Sequence, residues 1–292
     1  MNNCYPKMAF AFLTSRLSRA RRIASGALLA GLLLAWLPAL ADSPGPIGNN
    51  PELTKPEPTG NNPAQPANAP LPQVETPGLK PYSAVYTSTL SGFSADMDQR
   101  LSRVGEDRWQ LSNKASFLFA GFEESAVFTV ESQTVRPLRY DYDNKLSKNH
   151  SSQVRFNWDN DTFIDKLHSK KPEPLNGRAW DQLSLQAQLR LILLKNSGHI
   201  DTTVFPEIDR YKIKQYTVKK LGEEQLQTDL GTFTAVKLEE RRVNRDDHTL
   251  IWLAKDWDYL ILRLQRIEEG KVEFEINLKQ ATLDGDRNVE GH

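Results

Sequence analysis

The periodicity of this chain predicts a mainly β protein: a curved antiparallel sheet, or a partly closed β-barrel, packed around one apolar α-helix. Three observations predict it. Apolar and polar residues alternate with a period of two over much of the stretch 81–283. Turn dipeptides such as Asn160-Asp161, Leu230-Gly231, Asp246-Asp247 and Glu269-Gly270 punctuate those runs. One segment, 180–195, departs from the alternation and reads with a helical period.

The chain opens on a segment that belongs to targeting rather than to the fold. Lys7, Arg16, Arg19, Arg21 and Arg22 form a basic region, with no acidic residue before Asp42. An Ala/Leu-rich core runs from Ile23 to Leu37, and Pro38-Ala39-Leu40-Ala41 places small residues at the two positions a signal peptidase reads. Residues 1–41 therefore read as an export signal cleaved after Ala41, and the periplasm is the expected compartment. The core is near the length of a membrane anchor, but Ser25, Gly26 and Pro38 weaken it, so no stable span is expected after processing. The residues flanking Arg21-Arg22 match a twin-arginine signal poorly, and the general secretory route fits the Leu-rich core better. The sole cysteine, Cys4, lies in this leader and not at the cleavage point. A lipid anchor at the cut is thereby unexpected, and the processed chain has no disulfide, thiolate nucleophile or cysteine metal ligand.

Residues 42–80 are a different polymer. They hold ten prolines and no aromatic residue, and Asn-Asn-Pro occurs twice, at 49–51 and 61–63. Such a stretch buries too little apolar surface to offset its ordering entropy and is expected to be a disordered linker. A single domain is expected over 81–283, long enough for one core, followed by a polar tail at 284–292 that should fray. Five of the 37 basic residues and none of the 37 acidic ones lie in the leader, which leaves a processed net charge of −5. That balance argues against nucleic acid as a partner, since its binders concentrate Lys and Arg.

Within the domain, strands are expected at 82–90, 94–103, 108–118, 125–131, 161–169, 210–221, 232–244, 249–254 and 260–268. Three more announce themselves by strict alternation. Leu138, Tyr140 and Tyr142 oppose Arg139, Asp141 and Asp143; Val154, Phe156 and Trp158 oppose Arg155, Asn157 and Asp159; Val272, Phe274, Ile276 and Leu278 oppose Glu273, Glu275, Asn277 and Lys279. So many short strands joined by tight turns form a meander long enough to curl or close. The helical segment carries Trp180, Leu183, Ala187, Leu191 and Leu194 on one stripe, with Leu185, Leu189, Ile192 and Leu193 widening it. A helix this apolar needs burial on most sides. The continuous apolar runs 250–253 and 259–262 offer a matching surface, so the helix is expected to pack on or plug the concave face.

Five short motifs in order then suggest a family: Tyr-Asp-Tyr-Asp at 140–143, Phe-Asn-Trp at 156–158, Asp-Gln-Leu-Ser-Leu-Gln at 181–186, Leu-Gly-Thr-Phe-Thr-Ala-Val-Lys-Leu-Glu at 230–239 and Ile-Trp-Leu-Ala at 251–254. Together they resemble the exported bacterial proteins grouped as domain of unknown function 3108 (DUF3108), over most of 81–283. Ile261 stands where that pattern would have a proline opening the next strand. The resemblance implies an envelope protein with a curved sheet or barrel, similar in outline to periplasmic lipid-carrier barrels, with no agreed activity and no catalytic residues to transfer.

The residues themselves present no recognisable active site. Asp141 and Asp143 share one strand face with Arg139 and Lys145, which reads as a charge ladder on a wet face rather than an acid–base pair or a cation site. The five histidines lack ligand spacing, Ser184 has no nearby histidine, and no nucleophile elbow or phosphate-cradling glycine loop is present. No cofactor is expected. The aromatic residues Tyr140, Tyr142, Phe156, Trp158 and Trp252 fall on apolar phases and are the candidate lining of a pocket for a lipophilic ligand, if they are not simply core. The apolar turn at 117–122 is expected to fold inward. The leading expectation is a non-enzymatic periplasmic protein that binds a lipophilic ligand or envelope component in envelope maintenance. The alternative is a protein–protein adaptor without a ligand cavity, for which exposed edge strands would be contact sites.

Overall fold

The computed structural model describes residues 78–90, 93–117 and 120–292. The leader at 1–41 and residues 42–77 of the Pro-rich stretch lie outside the described residues. Eight strands run first, as an antiparallel meander: β1 Tyr82–Leu90, β2 Phe93–Arg103, β3 Arg108–Phe117, β4 Ala120–Glu131, β5 Thr134–Asn144, β6 Ser152–Asn157, β7 Thr162–Asp165 and the two-residue β8 Glu173–Pro174. After the helix α1, Gln182–Lys195, a second meander follows: β9 Thr203–Asp209, β10 Lys212–Thr228, β11 Gly231–Arg242, β12 His248–Ala254, β13 Leu260–Glu268 and β14 Lys271–Leu283. β1 and β14 pair, joining the two meanders into one sheet of order β8-β7-β6-β5-β4-β3-β2-β1-β14-β13-β12-β11-β10-β9. A final short strand, β15 Arg287–Asn288, adds to β14.

Chain connectivity forces this sheet to curl. Laid flat, fourteen strands at ~4.8 Å spacing would be about 60 Å wide. Yet Pro174 pairs with Thr162 of β7 at one edge, and Trp180 bridges to Glu207 of β9 at the other. The five residues between them, six Cα–Cα steps, reach at most ~22 Å. The seam is thin: the Trp180 N–H donates to the Pro206 carbonyl at 3.1 Å, and the Ile208 N–H to the Trp180 carbonyl at 2.7 Å. The sheet is therefore curved and stitched along one line rather than closed by a full ladder.

Bulges tune the curvature and correct one strand phase. Val127 pairs with Arg139 and Phe128 with Pro137, leaving Leu138 as the extra residue of a bulge, half-buried instead of sharing the phase of Tyr140 and Tyr142. Pro137, which has no N–H to donate, sits at that irregularity. Glu269 and Gly270, with φ of 50° and 74°, make the tight β13–β14 turn, where both central residues must be left-handed.

The helix lies within the curve. Trp180, expected as its first turn, belongs to the seam, and Asp181 is the N-cap, accepting from the Leu183 and Ser184 N–H groups at 3.1 and 3.0 Å. Its apolar side chains Leu183, Leu185, Ala187, Leu189, Leu191 and Leu193 are buried, and so are Gln188 and Arg190. Those polar residues are satisfied: Gln188 Oε1 accepts from the Val135 N–H at 2.7 Å, and Arg190 donates twice to the Asp258 carbonyl, at 3.1 and 2.9 Å, while lying 4.6 Å over the Tyr82 ring. The helix packs most closely on β3, β4, β5 and β9 rather than on the apolar runs of β12 and β13.

Two domain limits differ from expectation. Leu79 is already buried in the core, ahead of Pro81. Residues 284–292, expected to fray, are docked: Val289 is buried, its N–H donates to the Ala281 carbonyl at 3.0 Å, and Thr232 and His292 exchange backbone hydrogen bonds at 3.0 and 2.9 Å. Gly291 permits this approach, because a Cβ there would stand 2.5 Å from the Thr232 nitrogen.

Candidate binding cleft

The space beside the helix is small. Between the first turns of α1 and the inner faces of both meanders a space of about 90 Å³ remains, bordered by Tyr86, Gln99, Asn113, Glu124, Gln186 and Arg266. Pockets for organic ligands are typically ~300–1,000 Å³, several times larger. A buried polar chain runs beside it. The Tyr82 hydroxyl donates to Gln99 Oε1 at 2.6 Å, Gln99 Nε2 to Asn113 Oδ1 at 2.8 Å, and Asn113 Nδ2 to Glu124 Oε2 at 3.0 Å. The Tyr140 hydroxyl closes it on Glu124 Oε1 at 2.7 Å. Burial raises the Glu124 carboxyl to about 7 despite these bonds.

The five aromatic candidates do not meet around that space. Tyr140 is buried and committed to Glu124. Tyr142 is buried beside it, its ring 6.0 Å from Phe122, with its hydroxyl accepting from Asn144 at 3.2 Å. Phe156 and Trp158 stack at 5.8 Å by the β6–β7 turn, half-buried; Trp158 donates to the Pro137 carbonyl at 2.6 Å and lies under Arg136. Trp252 belongs to the other meander, on the face of β12 opposite Thr249, which borders the interior space. It donates to Glu224 Oε1 at 2.6 Å and is flanked by Lys237 and Arg263 at 4.6 and 5.9 Å from its ring. In the apolar turn at 117–122, Leu118 and Phe119 lie outside the described residues, and Phe122 is buried in the core.

A larger concavity lies elsewhere. A cleft of about 860 Å³ stretches over β2–β6, with Ser112, Lys114, Glu123, Ser125, Asp141 and Asp143 along its floor. The segments 148–153 and 167–168 stand over it as a wall. The floor charges are largely matched among themselves. Asp141 pairs with Arg155 at 2.6 Å, Lys114 with Glu123 at 3.3 Å, and Asp143 with both Lys145 at 2.7 Å and Lys148. Hydrogen bonds from Lys145 and Lys148 hold the Asp143 carboxyl down at about 2. The expected charge ladder is therefore present, with Arg155 and Lys148 in it and not Arg139.

Asp165 ties the wall down. Its side chain is fully buried and accepts from Ser152 Oγ at 2.8 Å, from the Gln153 and Leu167 N–H groups at 3.1 and 2.9 Å, and from His168 Nδ1 at 2.8 Å. Burial pushes this carboxyl up, but the hydrogen bonds together outweigh it and hold it below its ordinary value. His168 Nε2 faces the Asn149 carbonyl at 3.2 Å, so the clasp spans both wall segments. Ser152 bonds to Asp165 and not to His168, and the imidazole has acceptors at both nitrogens. The trio holds a loop and activates no nucleophile.

A family model described as "Protein of unknown function (DUF3108)" matches residues 93–277. No functionally curated protein matches. Among solved structures, the chain is similar to a β-barrel-like protein of domain of unknown function DUF1849 from Brucella abortus, at 9% identity over 70% of this chain and 98% of that one, with a TM-score of 0.49. It is also similar to MucB, at 10% identity over 71% and 55% of the two chains and a TM-score of 0.27. A third likeness is to a DUF1329 family protein from Desulfovibrio piger, at 11% identity over 73% and 89%, with a TM-score of 0.24.

Proposed function

This chain belongs to the DUF3108 family, and we propose that it is a non-enzymatic adaptor of the cell envelope that engages a polar partner through the cleft over β2–β6. The contrast between its two spaces carries this reading. The space beside α1 measures about 90 Å³, while the cleft offers about 860 Å³ walled by hydroxyls, carboxylates and ammonium groups. A lipophilic ligand inside the sheet, enclosed by Tyr140, Tyr142, Phe156, Trp158 and Trp252, would require α1 to leave and those side chains to abandon their present partners. The cleft asks for no such change. Its paired charges give no single-sign field to steer an ion, but its serine hydroxyls and rim charges suit an extended protein segment with alternating hydrogen-bonding groups. Export through the leader at 1–41 would deliver the adaptor to the periplasm, and no described helix is long and apolar enough to cross a membrane.

Photo-crosslinking tests this. A benzophenone side chain replacing Ser125 in the cleft should trap a discrete envelope protein in living cells, whereas one replacing exposed Gln225 on β10 should not. Equal trapping at both positions, or stoichiometric lipid in an organic extract of the purified protein, would favour the carrier reading instead.

A further inference from the structure

Around the N-terminus of α1, four buried carboxyls form a chain that crosses the seam of the sheet. Glu124 projects from β4, Asp181 caps the helix, Glu207 lies on β9 at the bridge to Trp180, and Glu240 stands on β11. All four are buried, and Glu207, at 1% exposure, has an Oε1 with no hydrogen-bond partner among the described residues. The groups facing them are few. Glu124 faces Tyr140, Asn113 and Asp181; Asp181 faces the helix N–H groups and the Ser184 hydroxyl. Glu207 faces Glu240, Asp209, Lys214 and Asp181, with Tyr216 and Arg242 alongside, and Glu240 faces Arg266 from β13. Lys214 is itself paired with Asp209, and Arg266 with Asp247 and Glu268. Lys214 and Arg266 are thus shared with other carboxylates, and the carboxyls oppose one another across a join made by two backbone hydrogen bonds.

We infer that the Trp180–Glu207 seam is a proton-controlled latch, closed while the buried carboxyls of Asp181, Glu207 and Glu240 hold protons and released when they ionise. The latch carboxyls Asp181, Glu207 and Glu240 lie outside the cleft lining, which shares only Glu124 with the chain. Its direction follows from linkage. Burial, first of all, raises the carboxyls, Asp181 to about 6, Glu124 and Glu240 to about 7, and Glu207 well above its ordinary value, with Glu240 and Asp209 adding to the last. The closed seam therefore holds protons that an opened, hydrated seam gives up. Its stability is full below the ordinary carboxyl range and falls as pH rises through about 6–7. Each unit by which one carboxyl is raised is a factor of ten in the opening equilibrium.

Residue-resolved amide exchange on the purified protein between pH 5 and 8, corrected for intrinsic rates, reads this directly. Protection of the Trp180 and Ile208 amides should fall by about tenfold or more across that range, and by clearly more than at amides in the middle of β2 and β3, which follow only the global loss. Glu207→Gln, which keeps the shape of the protonated group and cannot ionise, should flatten the seam profile; should that variant not fold, Glu240→Gln reads the same quantity. A flat profile in the unmodified protein overturns the latch. So does an equal loss at β2 and β3, which would be global destabilisation, or a Gln variant whose seam profile matches the unmodified protein.

Discussion

Leu189→Ala, set against Asp143→Asn, measures how far the fold depends on a filled concavity. Leu189 lies mid-helix at 5% exposure, facing side chains of the curved sheet. The substitution deletes three carbons, worth ~0.8 kcal/mol each by transfer, or about 2.4 kcal/mol. A cavity penalty follows if the surrounding strands cannot close in, bringing the expected loss to about 3–4 kcal/mol within the ~2–5 kcal/mol span of such changes. The better helix propensity of Ala returns only a few tenths of a kcal/mol. Asp143 is the opposite case: its side chain is 39% exposed and pairs with Lys145 and Lys148 in the cleft. Exchange for Asn should cost about 0–1 kcal/mol at pH 7. Urea titration followed by tryptophan fluorescence and far-UV circular dichroism gives both values if the slopes match the unmodified protein. A loss under ~1 kcal/mol for Leu189→Ala together with one above ~2 kcal/mol for Asp143→Asn would refute the reasoning, since it would place the stabilising contacts in the cleft and not around the helix.

Three further outcomes are expected. Glu124→Gln keeps partners for Tyr140 and Asn113 but cannot ionise; because burial raises Glu124 to about 7, the unmodified protein should lose stability from pH 5 to pH 8, and urea midpoints should show a smaller loss in the variant. Asp165→Ala should cost about 3–5 kcal/mol and expose amides in 147–151 to exchange, because it removes a buried carboxylate with four hydrogen bonds; its lowered carboxyl contributes stability above the unfolded carboxyl range that is lost on acidification, so this cost should shrink toward low pH. Deleting residues 289–292 should lower stability by roughly 2–4 kcal/mol in thermal or urea unfolding, through the lost burial of Val289 and its backbone hydrogen bonds.

Alternation in the sequence located most strands because their outer faces are wet, and it placed β13 at Leu260–Glu268 without error. It failed where the physical signal vanishes. β9 was missed because Pro206 interrupts its pattern; the proline sits at the seam edge, where its carbonyl accepts from Trp180 and its absent N–H faces no ladder. Trp252 could not be assigned a face, since 250–254 is apolar throughout and a strand covered on both sides has no readable phase. The bulge at Leu138 shifts a phase by one residue, and nothing but Pro137 marks it in the sequence. The interior carboxyls do leave a signal in the sequence. Glu124 shares its phase with Phe122 and Ala126, Glu240 with Val236 and Leu238, and Glu207 with Phe205. The cleft wall left none, because Asp165 and Ser152 meet only through the fold.

Native mass spectrometry of the purified protein tests the central claim most directly, because the proposed adaptor carries no lipid between helix and sheet. The expected spectrum shows the bare polypeptide mass under gentle activation, with or without a protein partner. A stoichiometric adduct of lipid mass, released intact on activation and lost when Leu189 is enlarged to Trp, would contradict the account and return the ligand to the interior.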